Sequence, residues 1–304
     1  MNKKIRINME PKDIECYRKA GKIASEVREW SKELVKSNAK ALDIAEKIEA
    51  RIKYAGGGIA FPVNVCINDV TAHYTPKYND ELKLAKEDVV SVDVGVHIDG
   101  FIADTAYTMD LSKKYKDMLA ANQEALDRAI ELVKPGALVS EIGKAVHETL
   151  TSAGFKPIEN LTGHEVKQYD LHAGLSIPNI PVPHKLRIEE GMALAIEPFA
   201  TDGYGRVIET KHAEIFTLLE PKPTRNRDAR AIIEEVAERQ GLPFAERWLA
   251  KKIPPLRLDL AMRDLLGNGT LKAYATLHEK EKGIVSQFEH TVIVTTDGCE
   301  VTTK

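Results

Sequence analysis

Val89-Val90-Ser91-Val92-Asp93-Val94-Gly95-Val96-His97-Ile98-Asp99-Gly100-Phe101-Ile102-Ala103-Asp104-Thr105-Ala106-Tyr107 reads as two apolar strands around an Asp-Gly turn. Asp-Gly flanked by alternating apolar residues is the strongest short-range hairpin signal a sequence carries. With Asp99 and Gly100 as the two-residue loop, Asp104 faces Gly95, and Asp93 lies two residues further along on the same face. The two aspartates are then diagonal neighbours, roughly 7–8 Å apart at the backbone and closer at the side chains. Gly95, lacking a side chain, is expected to leave room opposite Asp104. Val92, Val94, Val96, Ile98, Phe101, Ala103 and Tyr107 fall on the other face and read as core. A slip of one residue would put the aspartates on opposite faces.

Two more carboxylates sit in similar surroundings. Glu197 follows Met192-Ala193-Leu194-Ala195-Ile196, and Glu289 lies within the apolar run 284–294; none of the four runs contains Lys or Arg. An ionised carboxylate buried without a partner is strongly unfavourable, so such groups are paired, protonated or metal-bound. Singly, each reads as a structural residue bonded to backbone N–H groups. Together, with His164 between the pairs, they read better as a metal cluster. One imidazole and four carboxylates suit Mn, Fe, Co or Zn. Four negative charges balance two divalent cations, and two ions roughly 3.5–4 Å apart can share a bridging water, lower its pKa and polarise a carbonyl. A mononuclear or structural site is the alternative. It would leave surplus negative charge, and no Cys-ligated zinc cage is in view.

Composition narrows the class. The chain has 304 residues, 43% hydrophobic and 29% charged, with a net charge of −3. That describes a soluble protein with a sizeable core, in one large domain or two, and gives no reason to expect nucleic acid or an anionic membrane as main partner. Cys16, Cys66 and Cys299 are widely spread, which suits a reducing cytosol and argues against a disulfide framework. Cys66 has no Ser/His/Asp-like context, so a thiol nucleophile is not expected. Residues 1–6 lead to no apolar stretch long enough for a signal peptide or membrane span, so a cytoplasmic location is expected.

Residues 11–36 and 41–54 read as amphipathic helices, the second ended by Gly56-Gly57-Gly58. That glycine run follows a helix instead of opening one, so it is a helix stop and not a phosphate loop. A weak repeat links two halves of the chain. Leu34-Val35-Lys36 recurs 98 residues later as Leu132-Val133-Lys134, Asp43-Ile44-Ala45 matches Glu141-Ile142-Gly143, and Ala55-Gly56 matches Ala153-Gly154. After a gap, residues 87–93 correspond loosely to 190–197. Such halves would place their carboxylate strands about a pseudo-twofold axis, with the site between them. Past residue 220 the character changes. Segments 230–240, 244–252 and 258–266 look helical, separated by Gly241-Leu242-Pro243 and Ile253-Pro254-Pro255, and strand character resumes at Ile284. This stretch reads as a helical insertion of mixed charge.

At Asp93-Val94-Gly95, Thr162-Gly163-His164, Ile196-Glu197-Pro198 and Gln287-Phe288-Glu289-His290-Thr291 the chain closely resembles the type II methionine aminopeptidases, over nearly its whole length. These share the pita-bread fold with prolidase and creatinase. The resemblance implies an α+β fold with a pseudo-twofold antiparallel sheet flanked by helices. Residues 1–220 and 274–304 would form that body, and 221–273 the type II insertion. It implies two divalent ions (Co, Mn, Fe or Zn): Asp93 chelates one, Asp104 and Glu289 bridge both, and His164 and Glu197 bind the other. Ala72-His73-Tyr74-Thr75-Pro76 and Leu171-His172-Ala173-Gly174 look like that branch's signature. In it His73 hydrogen-bonds the scissile amide region and His172 polarises the carbonyl or holds the oxyanion. Glu197 is also assigned the proton transfer to the leaving amine. Phe61, Phe199, His212 and Tyr274 match positions lining the methionine pocket. His97, His147, His184, His278 and His290 are left as non-ligands.

The implied activity is removal of the initiator methionine from nascent chains whose second residue is small, by a monomer working near the ribosome. The long charged extension found ahead of eukaryotic type II enzymes has no counterpart here. A prolidase or aminopeptidase P activity is the nearest alternative, although those enzymes carry a sizeable additional N-terminal domain. A binding protein that keeps the fold but not the ligands is the other. All five ligand positions are filled, which argues for an enzyme.

Overall fold

Asp99 and Gly100 adopt φ of 50° and 85°, the doubly positive pair of a type I′ turn, whose twist matches that of the strands it joins. The hairpin of Val89–Ile98 and Phe101–Asp110 consequently has the expected register, Ile98 opposite Phe101 and Gly95 opposite Asp104. In this computed structural model, which describes residues 9–304, Asn64–Ile67 and Gly58–Ile59 pair with the free edge of Val89–Ile98. The reading of residues 1–6 falls outside the described residues. No described helix is long and apolar enough to cross a membrane.

A second antiparallel sheet follows the order Cys299–Val301, His290–Val294, Ala193–Ile196, Thr162–Val166, Ser176–Pro178. The bridge between Ala106 and Glu289 joins it to the hairpin. Each sheet has its own helical cover. Helices α1 (Pro11–Ser31) and α2 (Ala41–Tyr54) bury Ala24, Val27, Ile44 and Ile48 against Val92, Val94 and Val96. Helices α3 (Lys116–Glu131) and α4 (Val139–Ser152) bury Leu126, Ile142 and Val146 against Leu194, Ile196 and Val292.

The internal repeat is real in three dimensions. Helices α2 and α4 begin and end 98 residues apart, and each is followed by a left-handed glycine, Gly56 (φ 85°) and Gly154 (φ 86°). The backbone ties at their starts correspond too: Ala41 donates to the Leu82 carbonyl at 2.9 Å, and Val139 to that of Leu186 at 3.1 Å. Duplicated chemistry at the same spacing has produced duplicated local structure.

Between the paired strands Ile215–Leu218 and Leu271–Tyr274 the chain forms α5 (Arg227–Ala237), the short strand Phe244–Ala245 on the other edge of Ile215–Leu218, α6 (Glu246–Ala250) and α7 (Pro255–Gly267). The expected helices are present, each starting a few residues from its anticipated position. Asn226 caps α5 by accepting from the Asp228 and Ala229 amides. Ile232, Val236, Leu258, Met262 and Leu265 form a separate apolar cluster with Phe216 and Leu271. A polar seam ties this unit to α2. Arg247, 1% exposed, donates to the Glu49 carboxylate, which also accepts from Trp248 Nε1 at 2.9 Å and from the Val63 amide at 3.3 Å. Arg239 donates to the Ile59 carbonyl at 2.8 Å, two residues before Phe61.

Removing one member of a buried ion pair strands the other charge, a loss of about 3–5 kcal/mol, whereas an apolar pair of similar volume is often tolerated. Arg247→Ala should therefore lower the urea midpoint strongly, and the double variant Glu49→Leu/Arg247→Met should recover most of it. A wild-type midpoint for Arg247→Ala would mean that the seam adds little.

Candidate metal centre

The hairpin register sends Asp93 and Asp104 out of one face, and the strand Thr162–Val166 brings His164 opposite Ala195. Glu197 follows the end of Ala193–Ile196, and Glu289 sits in the break between Val285–Gln287 and His290–Val294. All five line one cavity of about 230 Å³. The ligand atoms of Asp104, His164 and Glu289 lie within 4.8 Å of one another. His164 Nε2 is 3.5 Å from Glu197 Oε1 and 3.8 Å from Asp104 Oδ2. Asp93 and Glu197 complete the walls without belonging to that tight trio.

Hydroxyls staple the ligand strands from behind. Thr291 Oγ1 accepts from the Asp104 amide at 2.7 Å and donates to its carbonyl at 2.8 Å. Thr105 Oγ1 donates to the Glu289 carbonyl at 2.8 Å and accepts from Arg28 at 2.8 Å. The backbone of the ligands is thereby fixed by partners that leave their carboxylates free.

Among the described residues no Lys or Arg pairs with any of the four carboxylates, and Asp93 Oδ1, Asp104 Oδ1 and Glu289 Oε1 are buried without a hydrogen-bond partner. Burial pushes the Asp93 carboxyl up to about 7. Burial, then the charges of Asp93 and Glu197, raise Asp104 well above the carboxylate range. Glu197 and Glu289 are raised by burial and then by their carboxylate neighbours. Burial lowers His164 to about 3, so it is a neutral imidazole with a lone pair to offer. Orphaned oxygens, mutual repulsion and a neutral imidazole are what a site for divalent cations needs.

The other expected residues divide. Phe61, Phe199, Tyr274, His73 and His172 line the cavity with the ligands. His73 has φ 62°, a conformation that strains a non-glycine residue, and its Nδ1 lies 3.2 Å from the Ala275 carbonyl. Burial lowers its pKa to about 4. His172 reaches solvent at the mouth, 4.5 Å from His164 between ring centroids; surrounding protein and Lys272 lower its pKa. His212 does not join them. The Thr276 amide donates to its carbonyl at 2.9 Å, and its side chain turns outward, 52% exposed, 3.4 Å from Glu214. The room expected opposite Asp104 is also filled: a Cβ on Gly95 would lie 2.2 Å from the Phe61 ring. Glycine there seats the aromatic wall.

Asn64, Gln287, Leu161, Ile215 and Pro243 were not expected on the wall. Gln287 donates to Glu197 Oε2 at 3.3 Å. It had a signal, since it stands two residues before Glu289 on an alternating run. A larger cleft of about 690 Å³ lies between α2 and the inserted helices, and four of its rim charges pair with one another, Lys251 with Glu46 and Lys252 with Glu235.

Residues 15–296 match the model of metallopeptidase family M24. The chain belongs to that family. As an M24 metallopeptidase it is 44% identical to the methionine aminopeptidase of Methanocaldococcus jannaschii over 96% of its own length and all of the relative's. It is 47% identical to that of Archaeoglobus fulgidus over 94% of its length and 96% of the relative's. The crystal structure of the Thermotoga maritima methionine aminopeptidase, 23% identical, superposes with a TM-score of 0.72 over 97% of this chain and 98% of that one, which shows the shared pita-bread fold. M24 is a family of metallopeptidases, and Asp104, His164 and Glu289 form a buried cluster that could hold a metal ion.

A carboxylate whose pKa is raised by folding contributes stability that is present below its unfolded pKa and lost as pH rises through the folded value. For Asp93 that window runs from 3.8 to about 7. Metal-free protein should lose stability across it, and Mn(II) should raise Tm more at pH 8 than at pH 5. Equal gains at both pH values would contradict the assignment.

Proposed function

We propose that this M24 metallopeptidase is a methionine aminopeptidase of the type II branch, releasing an N-terminal methionine when the second residue is small. The observation that carries the reading is one cavity in which five metal-binding groups share walls with Phe61, Phe199 and Ile215. At about 230 Å³ it is smaller than the roughly 300–1,000 Å³ of drug-sized ligand sites, a size that suits one terminal residue. Unbranched methionine, with its polarizable sulfur, packs well against aromatic rings. The rings of His73 and His172 stand 5.6 and 6.2 Å from that of Tyr274, which supports a narrow neck and a small second side chain.

In this reading Asp93, Asp104, His164, Glu197 and Glu289 would hold two divalent ions, Co, Mn, Fe or Zn. When bound, such a pair lowers the pKa of a water and polarises the scissile carbonyl. The neutral His73 ring faces a carbonyl that can only accept, so Nδ1 carries its proton and Nε2 is an acceptor for the scissile amide N–H. His172 donates to the carbonyl oxygen as negative charge develops there. Glu197 passes the proton to the leaving amine. Residues 1–220 with 274–304 form the peptidase body and 221–273 the insertion, whose helices pack in an apolar cluster that also takes in Phe216 from the strand before them. Nascent chains are the substrates, which puts a monomeric enzyme near the ribosome in the cytoplasm.

Met-Ala-Ser should be cleaved with Mn(II) or Co(II), and Ala-Pro and other Xaa-Pro peptides should not. No methionine release with any divalent ion would overturn the reading. His73→Ala should lower kcat about a hundredfold or more with metal content unchanged; loss of metal would mean that its role is different.

A further inference from the structure

A groove of about 630 Å³ continues outward from the cavity, and His73, Leu171, His172, Pro243 and Tyr274 belong to both. We infer that this groove binds residues three to five of the substrate polypeptide as an extended strand, and that Lys272 reads the charge of the third residue. The inference rests on the aminopeptidase reading and extends it from the first residue to the chain behind it.

One wall of the groove is the strand Leu271–Tyr274, which lies at the edge of its sheet and, among the described residues, pairs with Ile215–Leu218 alone. Its register puts Tyr274 opposite Ile215 and Lys272 opposite Thr217, so these four side chains share a face. Phe216 and Leu271 point the other way into the inserted core. Along the shared face, Tyr274 and Ile215 wall the cavity, while Lys272 and Thr217 wall the groove. Leu219, 58% exposed, comes next, and its amide still bonds to the Thr270 carbonyl at 2.9 Å.

The ladder advances by about 6.6 Å for every second residue, the same step as an extended peptide laid beside it. An unpaired strand edge is also a template for such a peptide, because backbone bonds bind it and alternate side chains meet the wall. With residue one in the cavity and residue two at the neck, residue three is the first to reach Lys272. Its ammonium lies 5.0 Å over the Tyr274 ring. Among the described residues no carboxylate is within ion-pair distance of it, and neither Asp170 nor Glu209 on the groove walls has a cation partner. Among the described residues Lys272 is therefore the one Lys or Arg on the groove wall, with Asp170 and Glu209 on the same wall.

Exposed pairs contribute about 0.2–1 kcal/mol, so the wild type should favour Met-Ala-Asp-Ser-Leu over Met-Ala-Lys-Ser-Leu by about 1.4- to fivefold in kcat/KM. Lys272→Glu leaves three acids around the groove and should reverse that order; Lys272→Met should flatten it. KM should also fall from Met-Ala to the five-residue peptides. The same ratios should appear in the Kd values, by calorimetry, of analogues whose first peptide bond is reduced to CH2–NH. Cleavage with no dependence on length or on residue three would overturn the groove while leaving the aminopeptidase standing. Charge-selective binding without cleavage would overturn the aminopeptidase reading alone.

Discussion

Among the described residues no guanidinium or ammonium stands between Asp93, Asp104, Glu197 and Glu289, which share one cavity. Like charges at this spacing in a low-dielectric cavity cannot all remain ionised unless cations enter or protons bind. The protein supplies rigidity in place of neutralisation. Thr291 and Thr105 hold the backbones of Asp104 and Glu289, and Arg28, the nearest buried cation in that network, is spent on Thr105 and the Thr303 carbonyl instead of on a ligand. Positive charge is kept one layer back, so the cavity stays attractive to metal.

Two similar halves make such a concentration of charge attainable. Each half alone has one helix-covered sheet and a carboxylate strand whose polar side cannot be buried unaided. The bridge from Ala106 to Glu289 brings those sides together, and the apolar faces turn away into separate cores. Neither apolar cluster contains any of the four clustered carboxylates.

Much of this was legible in the residues. Asp-Gly between alternating runs specifies turn type, register and face at once, so the positions of Asp93 and Asp104 followed from local rules. The repeat was visible because helix ends and their glycines are short-range signals. Other features depend on contacts between distant segments. His212 is turned outward by a backbone bond from Thr276, which no pattern around residue 212 reveals. Gly95 looked like vacant space because the partner that fills it, Phe61, comes from another strand. The Glu49–Arg247 pair joins residues nearly 200 positions apart, and charged residues in amphipathic helices ordinarily read as solvated.

That pair changes what kind of object the inserted segment is. Its carboxylate also receives the Val63 amide, and neighbouring Arg239 grips the strand just before Phe61, so the aromatic wall of the cavity is partly held from the far side of the seam. A homologous insertion grafted onto this body would arrive with a guanidinium seeking an anion in α2. Where the recipient lacked one, the graft could fold correctly and still misalign the pocket. Modularity in the chain's order of elements does not make the segment interchangeable.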